Sequence, residues 1–131
     1  MPIPSGSVVK VRGTGAEWLF EFTGFDLDDC FDSLRITVNE RQEQVVYDFG
    51  PCVVWALRKL AAFFENEARD DAVGGGFRNP DPCFYELRRR GAEYRLSVRF
   101  EGSGLQKEYA LALPEILVDK HFLKAYDYGT A

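Results

Sequence analysis

The sequence has few of the side chains that bind metals, form disulfides or act as nucleophiles. Its 131 residues include one histidine and three widely spaced cysteines, Cys30, Cys52 and Cys83. An odd number of cysteines without a C-x-x-C pair argues against a disulfide framework and against the common zinc motifs. The signature motifs of serine hydrolases, zinc proteases and dinucleotide-binding enzymes do not occur either. We therefore expect a protein that is not an enzyme, with no metal, no cofactor and no catalytic residues.

The one cysteine with a conceivable catalytic position is Cys52. It lies where the first turn of a helix is predicted, and helix N-termini favour thiolates. A nucleophile also needs a base, and nothing in the sequence sets His121, the single imidazole, beside Cys52. We therefore expect Cys52 to be buried and unreactive, and His121 to lie on the surface.

Long apolar runs and an excess of positive charge are also missing. No stretch approaches the length of a membrane-spanning helix, and residues 1–6 have neither the charge nor the apolar region of a secretory signal. With 16 Lys and Arg against 21 Asp and Glu, the formal net charge is −5, which disfavours binding to nucleic acid or anionic lipid. We expect a cytoplasmic protein whose partner is another protein, in particular a basic one.

Apolar and aromatic residues, by contrast, are plentiful. They make up 46% and 15% of the chain, with 11 Phe, 6 Tyr and 2 Trp. Disordered chains have few aromatic residues, and a chain of this length can bury a sufficient core. The composition predicts one domain over residues 1–131, as a monomer or homodimer.

Alternating apolar residues predict four strands in the first 50 residues, arranged as two hairpins. The first hairpin is expected to turn through a four-residue loop over residues 13–16. The second lacks the Asn-Gly pair of a tight primed turn, so a four-residue loop over residues 40–43 is expected there as well. The predicted cross-strand pairs are Val9–Phe20, Val11–Trp18, Arg12–Glu17, Leu34–Phe49, Arg35–Asp48, Ile36–Tyr47 and Val38–Val45.

A long helix is predicted from Pro51 to about Arg69, because apolar residues recur there at helical spacing. Trp55 widens the apolar arc, so we expect this helix to be covered on more than one side. Residues 70–82 are expected to form a mobile loop, since they contain three consecutive glycines and two prolines. A phosphate-binding loop is excluded at Gly74–Gly76 because a helix precedes it and no Lys-Ser/Thr pair follows.

Three more strands and a second helix follow. Turns are expected at Gly91-Ala92 and near residues 102–104, and Pro114 opens a helix that ends at about Tyr126. The short links between strands require antiparallel pairing. We predict an α+β fold in the order ββββ-α-βββ-α, an antiparallel sheet of about seven strands with one long helix and a C-terminal helix on one side. The predicted pairs of the last strands include Tyr85–Val98 and Leu87–Leu96.

The densest acidic run covers residues 26–32. Calcium loops of the EF-hand type need Gly at the sixth position and Glu at the twelfth, but counting from Asp26 these positions hold Phe31 and Thr37. Two interpretations stay open: a solvated connection with Asp as turn former, and a contact site for a basic partner. The candidate partner-binding residues are Asp26, Asp28, Asp29 and Asp32.

Arginines cluster on two of the later strands, where the predicted register sets Arg88 beside Arg95. Like charges directly opposite each other are destabilising unless an anion or acidic side chain lies between them. Either an anion binds here, or Glu86, Glu93 and Glu108 neutralise the patch. The candidate anion-binding residues are Arg88, Arg90, Arg95 and Arg99.

The order of segments resembles that of a family of small bacterial domains, the WapI-like immunity proteins of wall-associated toxins. The resemblance covers most of the chain and lies in the order and general character of the segments, without a diagnostic motif. It implies an intracellular protein that neutralises a toxin by contact. The segments that carry it are Leu34–Val38 with the strand that follows, Trp55-x-x-x-x-Leu60-x-x-Phe63, Asp81-Pro82, Arg95–Arg99, and Leu113-Pro114 before a closing helix.

Two functions follow from these observations. The first is protein–protein interaction, most concretely the neutralisation of a toxin. The alternative is a small-ligand or anion-binding regulatory module, which would use the arginine patch beside the glycine-rich segment.

Overall fold

The structure, a computed structural model, describes residues 7–24, 30–65, 72–77 and 82–119. Within these ranges no helix is long and apolar enough to cross a membrane. The elements are β1 (Ser7–Gly13), β2 (Ala16–Thr23), β3 (Cys30–Phe31), β4 (Ser33–Glu40), β5 (Glu43–Asp48), β6 (Cys52–Val53), α1 (Val54–Phe64), β7 (Ala72–Phe77), β8 (Cys83–Arg90), β9 (Glu93–Phe100), β10 (Leu105–Ala112) and β11 (Glu115–Val118).

The strands form two main sheets and one short pair. A five-stranded sheet has the order β11-β1-β2-β4-β5, a four-stranded sheet has the order β10-β9-β8-β7, and β3 pairs with β6. Every paired neighbour is antiparallel, which confirms the α+β class and the antiparallel pairing. The expectation of one sheet with about seven strands is wrong. Short links identify the two strands of a hairpin, but long-range pairing decides whether successive hairpins share a sheet.

The predicted registers are confirmed. In the first hairpin Val11 lies opposite Trp18, and in the second Val38 lies opposite Val45. Leu87 lies opposite Leu96 in the pair formed by β8 and β9. Alternation fixes these registers because a slip of one residue would turn every apolar side chain to the other face.

The turns of the first two hairpins are tighter than predicted. Gly13 pairs with Ala16 and Glu40 with Glu43, so each loop has two residues rather than four. In the second turn Arg41 and Gln42 have φ angles of 52° and 66°. Both residues therefore adopt the left-handed conformation of a type I′ turn without the Asn-Gly pair that usually supplies it.

The long helix is shorter at its start than the sequence predicts. It begins at Val54 rather than Pro51, because Cys52 and Val53 pair as a strand with Phe31 and Cys30. The described part of the helix ends at Phe64, and residues 66–69 of the predicted helix lie outside the described residues.

The glycine-rich segment is a strand in place of the predicted loop. Residues 72–77 form β7, which pairs along its whole length with β8, from Ala72 opposite Arg88 to Phe77 opposite Cys83. Three glycines give no alternation for sequence analysis to detect, but a neighbouring strand can still supply the hydrogen bonds. Residues 66–71 and 78–81 lie outside the described residues.

The prediction of a C-terminal helix is also wrong where that helix was expected to begin. Residues 115–118 form strand β11, which pairs with β1 so that Val118 lies opposite Val9. A proline can precede a strand as well as a helix. The segment that follows Pro114 pairs with the edge of β1 that β2 leaves open. Residues 120–126 of the predicted helix lie outside the described residues.

Aromatic side chains join the two sheets into one core. The ring of Phe49, which follows β5, lies 5.4–5.5 Å from the rings of Phe77, Tyr85 and Phe100 of the other sheet. The hydroxyl groups of Tyr47 and Tyr109 form a hydrogen bond across the same junction. In the described ranges, the largest fully buried side chains are Trp18, Phe20, Phe22, Phe31, Phe49, Phe63, Leu34, Ile36, Leu57, Leu60, Leu87 and Leu96.

Candidate functional site

The outer face of the four-stranded sheet is the surface that faces away from this core. Side chains alternate across a strand, so Tyr85 and Leu87 of β8 are buried in the core while Glu86 and Arg88 between them are exposed. On β9, Leu96 and Val98 are buried while Arg95 is exposed. The same alternation that builds the core therefore lays out a row of polar and charged groups on the other side.

A depression crosses this face, and we call it the outer groove. Its lining includes Gly74, Phe84, Glu86, Ser97 and Arg99, and its volume is about 470 Å³. Gly74, Glu86 and Ser97 lie opposite one another on three adjacent strands. Gly74 has no side chain and that of Ser97 is short, so these two ends of the row form the floor of the groove, with the Glu86 side chain between them.

Gly74 has a structural reason to be glycine. A Cβ atom at this position would lie 2.3 Å from the main-chain oxygen of Tyr85, which is much closer than van der Waals contact allows. A Cβ atom at Gly75 would meet its nearest neighbour, the ring of Phe77, at an ordinary 3.5 Å. Because this close approach excludes a side chain at Gly74, that end of the groove floor stays open.

One wall of the outer groove is an arginine stacked on an aromatic ring. The guanidinium carbon of Arg99 lies 4.5 Å from the centroid of the Phe84 ring, within the range of a cation–π interaction. The two residues are directly opposite each other on β8 and β9. Arg99 also lies 3.7 Å from a carboxylate oxygen of Glu101.

Ion pairs lie on the same face of the sheet, next to the outer groove and beyond Glu86 and Ser97. Arg88 Nε lies 2.6 Å from Glu86 Oε1, and Arg95 Nε lies 2.7 Å from Glu93 Oε1. Arg95 also reaches Glu108 on β10, with 2.9 Å between Nη1 and Oε1. The hydrogen bonds to Glu86 and Glu93 raise the pKa values of Arg88 and Arg95.

The four candidate anion-binding arginines lie on the outer face of the four-stranded sheet, and glutamates lie beside them. Arg88, Arg90 and Arg95 line a second depression of about 790 Å³, which adjoins the outer groove at Glu86 and Ser97. Arg88 lies opposite Arg95 as predicted. The three glutamates named from the sequence as neutralising partners, Glu86, Glu93 and Glu108, each form an ion pair with one of these arginines.

The middle residue of the Arg88–Arg90 run has a different role. Arg89 Nη1 donates a hydrogen bond of 2.9 Å to the main-chain oxygen of Phe63, and its guanidinium lies 5.1 Å from the centroid of that ring. Arg89 therefore binds the C-terminal end of α1 on the core side of the sheet.

The acidic run is only partly described. Asp26, Asp28 and Asp29 lie outside the described residues, whereas Asp32 is exposed next to the start of β4. The main-chain N–H of Asp32 bonds to the oxygens of Thr23 and Gly24 at 2.9 and 3.2 Å. These bonds are typical of a chain reversal, and the role of the run in binding stays a prediction.

The described cysteine side chains give no indication of catalysis. Cys83 is fully buried, with its thiol 3.9 Å from the main-chain oxygen of Phe49. Cys52 is half-buried rather than buried as expected, and His121 lies outside the described residues. In the described part of the chain, no three His, Cys, Asp or Glu side chains lie close enough to hold a metal.

Among the described residues four large apolar side chains are exposed, which the sequence did not lead us to expect. They are Val45 (39% exposed), Val46 (54%), Trp55 (66%) and Leu113 (81%). The sequence predicted that α1 is covered on more than one side, but the side that carries Trp55 is exposed. Val45 and Val46 interrupt the alternation of β5, and two adjacent apolar residues in a strand are the signal that one of them must face outward.

The chain matches no protein-family model, no curated protein and no solved structure. The resemblance to WapI-like immunity proteins therefore stays a prediction.

Proposed function

We propose that the protein acts by binding another protein, without catalysis, and that the outer groove is the contact surface. The observation that carries this proposal is the wall formed by Phe84 and Arg99. An aromatic ring and an arginine that hold each other in place present large contact groups with little side-chain entropy left to lose. Arginine and aromatic residues are also the types most enriched where protein interfaces draw their binding energy.

The sheet supplies a rigid base for this surface. Phe84 and Arg99 alternate with the buried residues Tyr85 and Val98, so their backbones are fixed by the core. Arg88 and Arg95 lie on the same face, each in an exposed ion pair with a glutamate. A preorganised surface loses less free energy on association than a flexible one.

The charge pattern supports a polypeptide as the ligand. Arginines and glutamates alternate across the face at Glu86, Arg88, Glu93 and Arg95, so donors and acceptors are both available to a chain that crosses it.

The more specific proposal is that the bound protein is a basic toxin domain, which is neutralised by contact. Its support is the resemblance to WapI-like immunity proteins and the formal net charge of −5, since opposite net charges accelerate association. Such a partner would also leave a role for the acidic run at residues 26–32.

A second candidate function is the binding of a small anion in the depression beside the groove. The observation that favours it is the direct opposition of Arg88 and Arg95. Because Glu86 and Glu93 already bind these arginines, an anion would have to displace a carboxylate. A thermal-shift screen with phosphate-bearing metabolites tests this alternative, since a ligand of the native state raises the melting temperature.

The test of the main proposal is a capture experiment with a filled groove. Ser97→Arg places a long side chain on the groove floor without removing a described contact, and Ser103→Arg makes the same change in an exposed turn outside the groove. Tagged wild type, S97R and S103R are used to capture partners from the lysate of the native organism, and bound proteins are identified by mass spectrometry.

We expect one stoichiometric protein with wild type and with S103R, and its loss with S97R. Circular dichroism and melting temperature establish that S97R is folded. Equal capture by S97R and S103R contradicts the groove as the contact surface. Capture of no protein by folded wild type contradicts the binding proposal and favours the second candidate function, the binding of a small anion.

A further inference from the structure

The open edge of the five-stranded sheet lies at β5. This strand is last in the sheet order, with β4 as its neighbour on one side. Five of its six residues are exposed; only Tyr47 is buried. Unpaired edge strands are usually protected by lysine, proline, a bulge or a covering segment, because their free backbone groups can pair with another strand. The sequence of β5 contains neither lysine nor proline, its two charged residues, Glu43 and Asp48, lie at its ends, and its pairing with β4 runs without a register shift.

The hydrogen-bonding phase of β5 shows which backbone groups point outward. In an antiparallel hairpin with a two-residue turn the residues that close the turn, here Glu40 and Glu43, bond to each other, and every second pair follows. The N–H of Phe49 bonds to the oxygen of Leu34 at 2.9 Å, which continues this phase along the odd-numbered residues. The N–H and C=O groups of Gln44, Val46 and Asp48 therefore point away from β4.

The exposed apolar residues of this sheet lie on the same strand. Val46 is 54% exposed on the face of the five-stranded sheet that points away from the core. Val45 is 39% exposed on the opposite face, which continues into the core. Adjacent valines on the two faces of an edge are suited to a partner that is itself a strand. The side chains of such a partner alternate between the two faces, so they can lie beside both valines.

We propose that two copies of the protein pair through β5, antiparallel and about a two-fold axis at Val46, so that their five-stranded sheets become continuous. This pairing uses a surface separate from the outer groove. Antiparallel pairing about Val46 sets Val46 opposite its copy and Gln44 opposite Asp48. The two-fold axis repeats the Gln44–Asp48 pair, so there are three hydrogen-bonded pairs. With two bonds for each pair, they would contribute about six backbone hydrogen bonds.

The side chains of β5 complement their own copies in this arrangement. No like charges face each other, because Asp48 meets the amide of Gln44. The Asp48 carboxylate is already compensated in its own sheet by Ser33 Oγ at 2.7 Å and Arg35 Nε at 3.2 Å. On the opposite face the exposed Val45 lies against Tyr47 of the copy. An isologous contact requires such self-complementarity.

Sedimentation velocity of the full chain over a range of concentrations tests the pairing. We expect wild type to approach twice the chain mass of 14.9 kDa as the concentration rises. Val46→Lys places a charge opposite its copy on the edge and should weaken the dimer by about ten-fold or more. Leu113→Lys removes another exposed apolar side chain and adds the same charge, and it should dimerise like wild type.

A cross-linking experiment gives a second measurement that does not depend on a destabilising change. In the proposed register the two Val46 Cα atoms are about 5.5 Å apart, which suits a disulfide. Val46→Cys should form covalent dimers under mild oxidation much faster than Ser103→Cys, a cysteine in an exposed turn. The proposal is overturned if wild type stays at the monomer mass up to about 100 µM, if folded V46K still dimerises, or if the two cysteine variants cross-link at equal rates. Partner capture through the outer groove is read separately, so either proposal can fail alone.

Discussion

Arg89 donates a hydrogen bond from Nη1 to the main-chain oxygen of Phe63, and its guanidinium also lies against the ring of that residue. The last carbonyl groups of a helix have no partner within the helix, and a cationic side chain there also interacts favourably with the helix dipole. A single side chain of β8 thus fixes the end of α1 to the four-stranded sheet. Its neighbour Arg88 forms an exposed ion pair on the other face.

This contrast predicts different results for two adjacent alanine substitutions. Arg89→Ala should lower the free energy of unfolding by about 1–3 kcal/mol, because a partly buried carbonyl loses a charged donor and an aromatic ring loses its cation. Arg88→Ala should have no measurable effect, since exposed ion pairs contribute little. Urea denaturation followed by circular dichroism measures both. Equal effects of the two substitutions would contradict the assigned role of Arg89.

The glycines of β7 give a second matched pair. Gly74→Ala should destabilise the protein by about 1–3 kcal/mol, because the new Cβ would lie 2.3 Å from the oxygen of Tyr85 and the strand would have to shift. Gly75→Ala finds ordinary contacts at 3.5 Å, so its stability should stay the same or rise by about 0.4–1 kcal/mol. Thermal and urea unfolding compare the two variants. A Gly75 variant as unstable as the Gly74 variant would show that β7 does not pack as described.

The turn at Arg41 and Gln42 predicts a stabilising change. Both residues have positive φ angles, at a cost of roughly 1 kcal/mol each for residues with a Cβ atom. The double substitution Arg41→Asn with Gln42→Gly supplies the preferred type I′ pair and should raise the free energy of unfolding by about 1 kcal/mol. Gln106→Gly in β10 is the control, and it should destabilise by about 0.5–1 kcal/mol. A loss of stability in the double variant would contradict the two-residue turn.

Those parts of the fold that depend on alternation are predictable from the sequence. Val11 and Trp18, or Val38 and Val45, could be paired from the sequence because each sits in a run where every second residue is apolar. Glycines 74–76 carry no such signal, so the sequence indicates neither β7 nor the floor of the outer groove. The pairing of Val9 with Val118 joins residues more than 100 positions apart, and no local pattern specifies it.

The candidate site was predictable to the same extent. The register of β8 and β9 placed Arg88 opposite Arg95, and it gave the glutamates that pair with them. The stacking of Arg99 on Phe84 depends on side-chain conformation rather than register. The exposure of Val46 depends on which strand lies at the sheet edge, and sheet order is a property of the whole chain.

Asp48 predicts a pH dependence of stability. Partial burial raises the pKa of this carboxyl group, but hydrogen bonds from Ser33, Gly50 and Arg35 outweigh burial and lower the pKa below its ordinary value. A group whose pKa is lower in the folded state stabilises the fold above its unfolded pKa, near 4, and loses this contribution as the pH falls through the folded value. Asp48→Asn should therefore melt below wild type at pH 7, and the difference should shrink as the pH falls below about 4.

The measurement is the melting temperature of wild type and of Asp48→Asn from pH 7 to pH 2, at a protein concentration low enough to exclude self-association. Ser33→Ala is the matched control, because it removes the 2.7 Å bond to Asp48 and leaves the carboxylate in place. Its destabilisation should likewise diminish in acid, since a protonated Asp48 depends less on that donor. Differences that stay constant over the whole pH range would show that Asp48 is not ionised and hydrogen-bonded in the folded state as described.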